Sequence, residues 1–337
     1  MRIGWAWALG AAAALVSWTS GVPAAEAAGC QLVKVADLPV AIKGDQIRVQ
    51  VAINGQPGWF LIDTGSSTTV MFGGAARDYG LHVSTEAGAM LYGVGGGQEV
   101  MSAIVGEFAL GEVKARNFRF FVVGNKGTPD EAGIFGRDVL GHYDLEFDLA
   151  NKRVRLFQPN GCAGQSLAYW TRTPEIADLR HDNATAPYEI KLLVDGKPVD
   201  AMLDSGASAS FVTPEVAAIG PSADDASGPS RPVRGIGENA VESHVAAFDS
   251  VQIGDELIRN VRLRVSDLFV DDKARETGSR ISHQVTGLPT MLLGADFLRS
   301  HRVLIAASQH LLYFTYSGGQ VFQGPGPPAA DKTAPAP

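Results

Sequence analysis

The stretch FLIDTGSSTTVM, residues 60–71, places one acidic residue, Asp63, directly after three apolar residues. Thr64, Gly65 and two serines follow before apolar residues return. Burying an isolated carboxylate costs free energy unless the group gains a partner. The pattern therefore indicates that Asp63 ends a buried strand, and it raises the question of which group elsewhere in the chain is its partner.

An internal repeat supplies a counterpart for Asp63. VAINGQPGWFLIDTGSSTTVM (51–71) aligns without a gap with LLVDGKPVDAMLDSGASASFV (192–212), so Asp63 corresponds to Asp204, 141 residues later. In each copy an apolar strand, a turn with glycine and a second strand lead into the acid. Three further pairs follow in the same order: YGVGGG (92–97) with RGIGEN (234–239), ALGEVKARNFRF (109–120) with QIGDELIRNVRL (252–263), and GIFGRDVL (133–140) with LLGADFL (292–298). The repeat predicts two homologous lobes, with a surface-loop insertion at 267–289 where the offset grows.

The bulk composition limits the fold and the kind of partner. The chain has 337 residues, of which 45% are apolar, with 39 glycines and 18 prolines. This composition, together with the short apolar segments, predicts an all-β protein rich in turns. The net charge of −8 without a Lys/Arg run disfavours a nucleic-acid partner. Metalloprotease histidine spacing and a Gly-x-Ser-x-Gly motif are both lacking, so we expect neither a metal site nor a cofactor.

Both ends of the chain carry segments that we do not expect in the folded core. Arg2, the apolar run 3–16 and the small residues at 25–27 are typical of a cleaved export signal, and an uncleaved membrane anchor is the alternative. No other segment reads as a membrane span. The Pro/Ala-rich tail 323–337 is predicted to be disordered.

The two cysteines, Cys30 and Cys162, bear on the same question of export. An even count in an exported protein favours a disulfide, which would close a long loop around the first half of the mature chain. Two alternatives remain open. Residues 27–30 loosely resemble a bacterial lipobox, which would make Cys30 a lipidated first residue, and the cysteines could also be two unpaired thiols.

The repeated motif resembles that of the aspartic proteases. In that family two apolar residues precede Asp-Thr/Ser-Gly, and two apolar residues and a glycine follow later in the chain, here Ile134-Phe135-Gly136 and Leu292-Leu293-Gly294. The GRD sequence after Phe135 is similar to the retroviral branch, whereas two lobes in one chain are similar to pepsin. The chain thus resembles a single-chain bacterial retropepsin-like protein. The resemblance implies two pepsin/retropepsin-like β-barrel lobes related by pseudo-two-fold symmetry. The expected division is a signal peptide at 1–29, an N-terminal lobe at 30–165, an inter-lobe linker at 166–186, a C-terminal lobe at 187–322 and the tail at 323–337.

Paired carboxylates of this kind have a definite chemistry. Two carboxyl groups at hydrogen-bonding distance cannot both ionise, so they share a proton and titrate as a pair. One can then take a proton from water while the other donates to the carbonyl oxygen of the scissile amide. The predicted catalytic residues are Asp63 and Asp204, with Thr64 and Ser205 bonded across the lobe interface and with Gly65 and Gly206 allowing close backbone approach. The alternative is that both acids merely cap turns.

Glycine-rich segments in both lobes are similar to the flap that covers the cleft in pepsin-like enzymes. Tyr92-Gly93-Val94-Gly95 matches the Tyr-Gly-x-Gly hairpin tip of that family. Arg234-Gly235-Ile236-Gly237 lies at the corresponding position of the second lobe and predicts a second flap, as in the retroviral dimers. An ordinary glycine-rich turn is the alternative at each site.

The chain departs from the family pattern at several positions. Ala207 lacks the hydroxyl that pepsin-like enzymes have after the motif glycine. Ser67 and Ser208 replace the acid that pairs with the arginine of the retroviral Gly-Arg-Asn segment, which leaves Arg137 without that partner. Ala295 replaces the arginine in the second lobe.

Together these features predict an exported aspartic endopeptidase, periplasmic or secreted. It would bind a peptide or protein substrate as an extended strand between its lobes, and a monomer would suffice because each lobe supplies one aspartate. We expect the first strand near residue 47 and no pro-segment before it. A non-catalytic peptide-binding protein and a lipid-tethered envelope protein remain the alternatives.

Overall fold

The structure is a computed structural model that describes residues 29–220, 230–237, 239–267 and 289–322. The predicted signal up to residue 28, the insertion from 268 to 288 and the tail 323–337 lie outside the described residues. Among the described residues, no helix has the length and apolar character that crossing a membrane requires.

The described residues form mostly strands, which confirms the predicted all-β class with two lobes. Four short helices accompany them: α1 Gly73–Asp78, α2 Arg137–Leu140, α3 Pro214–Ala217 and α4 Ala295–Ser300. The strands are β1 Gln31–Lys43, β2 Gln46–Ile53, β3 Gln56–Ile62, β4 Val70–Phe72, β5 Val83–Gly93, β6 Gly96–Leu110, β7 Val113–Val123, β8 Gly133–Phe135, β9 Asp144–Asp148, β10 Arg153–Asn160, β11 Glu175–Arg180, β12 Glu189–Val194, β13 Lys197–Leu203, β14 Phe211–Val212, β15 Arg231–Arg234, β16 Ala240–Ile253, β17 Glu256–Val265, β18 Met291–Leu293, β19 His301–Ala306 and β20 Leu311–Tyr316.

The two hairpins that lead to the acids form for a local reason. Asn54-Gly55 joins β2 to β3, and Asp195-Gly196 joins β12 to β13. All four turn residues have positive φ, which is the backbone that a two-residue hairpin turn requires and that these residue types tolerate. Each hairpin therefore sets the register of the strand that ends at its aspartate.

In each lobe a short strand runs between the two segments that flank the acid turn. In the N-terminal lobe, where β2–β8 surround the acid turn, β8 lies parallel to β3 and antiparallel to β4. In the C-terminal lobe, β12–β18, strand β18 pairs with β13 and β14 in the same way. The acid turn thus crosses the end of a buried central strand, so its position is set from both sides.

Glycine follows each central strand because the acid turn passes very close. A Cβ on Gly136 would lie 2.5 Å from the carbonyl carbon of Thr68. In the C-terminal lobe, a Cβ on Gly294 would collide with the backbone of Ala209, which belongs to the acid turn of that same lobe. A side chain at either position would therefore displace the turn that carries the aspartate.

A sheet shared by both lobes lies at their junction, with strand order β1–β10–β9–β19–β20–β11. The lobes meet where β9 pairs with β19, with Phe147 opposite Val303. One expectation was wrong here: the first strand begins at Gln31 and not near residue 47. The segment 166–186, predicted as the inter-lobe linker, contains β11. Both segments become strands because partner strands that are distant in sequence offer them free edges.

A buried ionic cluster joins the lobes on this sheet. Glu146 on β9 is fully buried and accepts hydrogen bonds from Arg155 Nη1 at 3.0 Å and from Arg302 Nε at 2.7 Å. Arg302 belongs to β19 and stacks 4.6 Å from the ring centroid of Trp170. A buried carboxylate needs such partners, and here they come from both lobes.

Cys30 and Cys162 form a disulfide that spans 132 residues of sequence. The bridge excludes the alternative of two free thiols. It connects the start of β1 to the segment after β10, so it ties down the edge of the shared sheet.

We expect Cys162→Ser to lower the free energy of unfolding by about 2–4 kcal/mol, because the open chain regains conformational entropy when it unfolds. Urea denaturation followed by tryptophan fluorescence measures this change. Ser166→Ala, in the same exposed segment, is the control and should stay within about 0.5 kcal/mol of the parent. A Cys162→Ser midpoint equal to that of the control would contradict a stabilising bridge.

Candidate active site

Asp63 and Asp204 sit in matching turns at the ends of β3 and β13. The backbone N–H of Asp63 donates to Phe135 O at 3.0 Å, and that of Asp204 donates to Leu293 O at 2.9 Å. Each carboxylate oxygen Oδ1 then accepts two N–H groups of its own turn, at 2.9 to 3.1 Å. These bonds aim both side chains toward the junction of the lobes.

The structure brings the two carboxyl groups together over the motif glycines. A Cβ on Gly65 would lie 2.5 Å from Oδ1 of Asp204. A Cβ on Gly206 would collide with Cγ of Asp63. Each carboxyl therefore packs on the glycine of the opposite turn, and only a residue without a side chain fits beneath it. We call Asp63 and Asp204 the dyad.

Thr64 and Ser205 hold the two turns together through reciprocal, buried hydrogen bonds. Thr64 Oγ1 donates to Leu203 O at 2.8 Å and accepts from the N–H of Ser205 at 2.9 Å. Ser205 Oγ donates to Ile62 O at 2.7 Å and accepts from the N–H of Thr64 at 3.0 Å. We call these four contacts the cross-lobe bonds. They leave the dyad little freedom to separate.

The electrostatics of the dyad favour one retained proton. Burial, the negative charge of Asp204 and the hydrogen bond between the two carboxyls raise the pKa of Asp63 to about 8. Burial also raises the pKa of Asp204, although its turn N–H groups and the hydrogen bond from Asp63 oppose the rise. The two carboxyls therefore titrate as a pair that retains one proton.

A second pair of acids, for which the sequence motifs predicted no role, supports the dyad turns. Asp138 accepts bonds from the N–H and the hydroxyl of Thr69, at 2.8 and 2.6 Å. Asp296 accepts the equivalent bonds from Ser210, at 2.8 and 2.6 Å. The sequence contains a signal for this second pair, because Asp138 and Asp296 lie at corresponding positions of the aligned motifs. They fix the far end of each acid turn.

Comparison with known families gives one match. A family model described as aspartyl protease matches residues 49–139 and 190–297, one stretch in each lobe and together more than half of the chain. The chain belongs to the retropepsin-like aspartyl protease family. Comparison with curated protein sequences found no match.

Arg137, the arginine of the GRD segment in this aspartyl protease, lies beneath the dyad turn. Only 5% of its surface is exposed. Its Nη1 donates to Thr64 O at 2.5 Å, and its Nε donates to Thr185 O at 3.0 Å. Backbone carbonyls thus replace the carboxylate that the family pattern supplies. The equivalent Ala295 is fully buried and provides no charge.

The two predicted flaps meet at their tips. The first comprises β5, β6 and the tip between Gly93 and Gly96, and the second comprises β15, the start of β16 and the segment between them. Val94 O accepts the N–H of Gly237, and Gly95 O accepts the N–H of Asn239, each at 3.0 Å. Of the other predicted flap residues, Tyr92, Arg234 and Gly235 are exposed.

Each flap tip packs on the opposite lobe. Val94 contacts a C-terminal-lobe cluster that includes Phe211 and Leu292. Ile236 contacts an N-terminal-lobe cluster that includes Val70 and Ile134. The clusters also contain Leu61 and Met202, each two residues before an aspartate, so the tips lie next to the dyad.

Two hollows of about 670 and 840 Å³ lie elsewhere and contain neither aspartate. The first lies beside β9 and β10, and the second lies between β11 and β12. Neither hollow holds a pair of acids from the duplicated turns, which only the dyad provides among the described residues.

The raised pKa of Asp63 makes the stability of the protein depend on pH. Between pH 3.8, the ordinary value for an aspartate, and about pH 8 the folded state binds more protons at this site than the unfolded state. The free energy of unfolding therefore falls as pH rises through this range. We expect Asp63→Asn to gain stability relative to the parent protein, by on the order of 1–3 kcal/mol more at pH 7.5 than at pH 4.5.

Urea denaturation at the two pH values measures this gain. Asp249→Asn, on the exposed face of β16, is the matched control and should show no such difference. An equal gain for Asp63→Asn at both pH values would rule out a retained proton at the dyad.

The flap contacts predict a measurable protection of backbone amides. Replacing both tip residues, Val94→Ser with Ile236→Ser, removes apolar burial on both lobes and should open the tips more often. We expect the amides of Gly237 and Asn239 to exchange about tenfold faster in hydrogen–deuterium exchange. Ile104→Ser, at a residue that is 62% exposed, is the control and should leave these amides unchanged. Unchanged exchange in the double variant would show that the tips do not depend on this packing.

Proposed function

We propose that this protein is an exported aspartic endopeptidase in which Asp63 and Asp204 activate a water molecule against a peptide bond. One observation carries the proposal: two acids from duplicated turns meet at the lobe junction, with raised pKa values and with a glycine beneath each carboxyl. Membership of the aspartyl protease family supports peptidase activity. Turn capping alone does not call for a contact between the two acids.

The reaction needs one proton on the dyad, which we place on Asp63, the carboxyl whose pKa is raised to about 8. Ionised Asp204 takes a proton from a water molecule whose oxygen bonds to the scissile carbonyl carbon, while protonated Asp63 gives its proton to the carbonyl oxygen. The tetrahedral diol then collapses. Asp204 returns its proton to the departing amide nitrogen as the C–N bond breaks, and Asp63 recovers a proton from a diol hydroxyl. The dyad ends as it began, without a covalent intermediate.

The flaps supply the binding mode. When the tips separate, an extended peptide can lie between them and the dyad and add its backbone hydrogen bonds to theirs. The clusters that Val94 and Ile236 occupy are apolar, which favours apolar side chains next to the cleaved bond. Both aspartates come from one chain, so a monomer suffices.

Export rests on the predicted signal at 1–29 and is compatible with the disulfide, which persists in oxidising compartments. The sulfur of Cys30 is engaged in the bridge, so it is not available for a lipid. N-terminal sequencing and intact mass of the mature protein test this part. A fatty-acylated Cys30 would refute it.

Substituting either member of the dyad should abolish proteolysis. We expect Asp63→Asn and Asp204→Asn to lower kcat/KM on casein or a peptide library by about 10²–10⁴-fold, because each removes one half of the acid–base pair. Asp249→Asn is the control and should retain activity. The basic limb of the parent's pH profile should lie near pH 8, where Asp63 loses its proton.

Retained cleavage in either dyad variant would refute the mechanism. Binding of library peptides without cleavage by the parent protein would support the alternative, a peptide-binding protein with this fold.

A further inference from the structure

We propose that Arg137 is the fixed counter-charge of the dyad and that only the N-terminal lobe supplies it. In this role Arg137 is a positioning residue, and it sets the pH range in which the dyad holds a single negative charge. The inference rests on the proposed function, since it assigns a role in the same site.

The geometry places the charge directly behind the acid turn. The N–H of Arg137 donates to Ser66 O at 2.9 Å, so helix α2 begins against the turn that holds Asp63. The guanidinium donates to the carbonyl of Thr64, the residue that also makes the cross-lobe bonds. With 5% exposure, the cation is screened little by water and acts over a longer distance than a surface charge.

Backbone carbonyls accept the hydrogen bonds of Arg137 but do not neutralise its charge, and buried charges in proteins are as a rule paired with an opposite charge. Among the described residues no carboxylate lies within 4 Å of the Arg137 nitrogens, although other buried arginines such as Arg155 have such partners. The neighbouring Asp138 directs its carboxylate to Thr69. The singly protonated dyad carries one negative charge, which matches the one positive charge of Arg137.

The pKa shifts of Asp204 and Arg137 have the signs that a charge pairing between them predicts. Burial raises the pKa of Asp204, and the positive charge of Arg137 opposes that rise. Conversely, burial lowers the pKa of Arg137, and the charges of Asp63 and Asp204 oppose that fall. The cation therefore favours the ionised dyad and lowers the pH at which it forms.

The other titratable groups around Arg137 do not supply this charge. Burial raises the pKa of Tyr188, which keeps the phenol neutral. Burial lowers the pKa of His181, which stacks 4.4 Å from the Tyr188 ring and so stays neutral near pH 7. Asp144 accepts bonds from Ser308 at 2.6 and 2.9 Å.

The charge comes from one lobe only. The N–H of Ala295 donates to Ala207 O at 2.8 Å, as that of Arg137 does to Ser66 O, so the two positions are structurally equivalent. Alanine at this position leaves the C-terminal lobe without a cation at the site equivalent to Arg137. The two carboxyls therefore have different charged surroundings before any substrate binds.

The test compares neutral and charged replacements of Arg137. Arg137→Gln and Arg137→Met remove the charge, whereas Arg137→Lys keeps it but loses the planar pair of donors. We expect both neutral variants to move the whole bell-shaped pH profile of kcat/KM upward by about one pH unit. Arg137→Lys should keep the profile within about 0.3 unit even if its activity is lower.

Arg48→Met is the matched control. Arg48 is also a buried arginine of the N-terminal lobe, with 7% exposure, but it bonds to Asp130 O and lies 3.4 Å from Glu131. Its loss should leave the pH profile in place. Coincident pH profiles for the parent and the neutral variants would refute the inference. A shift in Arg137→Lys as large as that of the neutral variants would also refute it, because the loss of the guanidinium donors, and not the loss of charge, would then be responsible.

Carbon-13 NMR titration of the aspartate carboxyls gives a readout that does not need turnover. The dyad signals are identified by their loss in Asp63→Asn and Asp204→Asn, and they should titrate about one pH unit higher in the neutral variants. If the neutral variants do not fold, Arg137→Lys still tests the inference. A dyad titration displaced by a full pH unit in Arg137→Lys would refute a role for the charge. An inactive parent protein with shifted titrations would refute the proposed function and leave this inference standing.

Discussion

The dyad depends on the cross-lobe bonds between Thr64 and Ser205. Both residues are about 1% exposed, so water cannot replace a lost partner. A typical hydrogen bond contributes on the order of 1 kcal/mol net, but breaking a buried one leaves an unsatisfied polar group that costs more. Because the bonds are reciprocal, one turn cannot move without disrupting the other. Two acids that repel each other are thereby held in contact.

The balance at the dyad is between burial and local donors. Two backbone N–H groups stabilise each ionised carboxylate through Oδ1, which lowers its pKa. Burial acts in the opposite direction on both groups, and the neighbouring charge adds to it at Asp63. The donors are similar in the two turns, so they cannot decide which carboxyl keeps the proton.

A duplicated chain can differ between its halves in a way that a homodimer of identical subunits cannot. Arg137 aligns with Ala295 in the internal repeat, and Tyr92 aligns with Arg234. The bonds that build the turns are kept in both lobes, as Asp138–Thr69 and Asp296–Ser210 show. Thus the supporting framework is symmetric, whereas the charges around it are not.

The sequence by itself determined the fold class, the pairing of Asp63 with Asp204 and the two hairpins. These follow from short apolar segments, from turn residues that accept positive φ and from the gap-free alignment of residues 51–71 with 192–212, all of which are local or repeated patterns. Only the tertiary structure decided that β1 and β11 join a shared sheet, that Val94 and Ile236 cross to the opposite lobe and that Arg137 lies under the dyad. Each of these depends on which distant segment offers a free strand edge, an apolar surface or a carbonyl, and no local pattern encodes that choice.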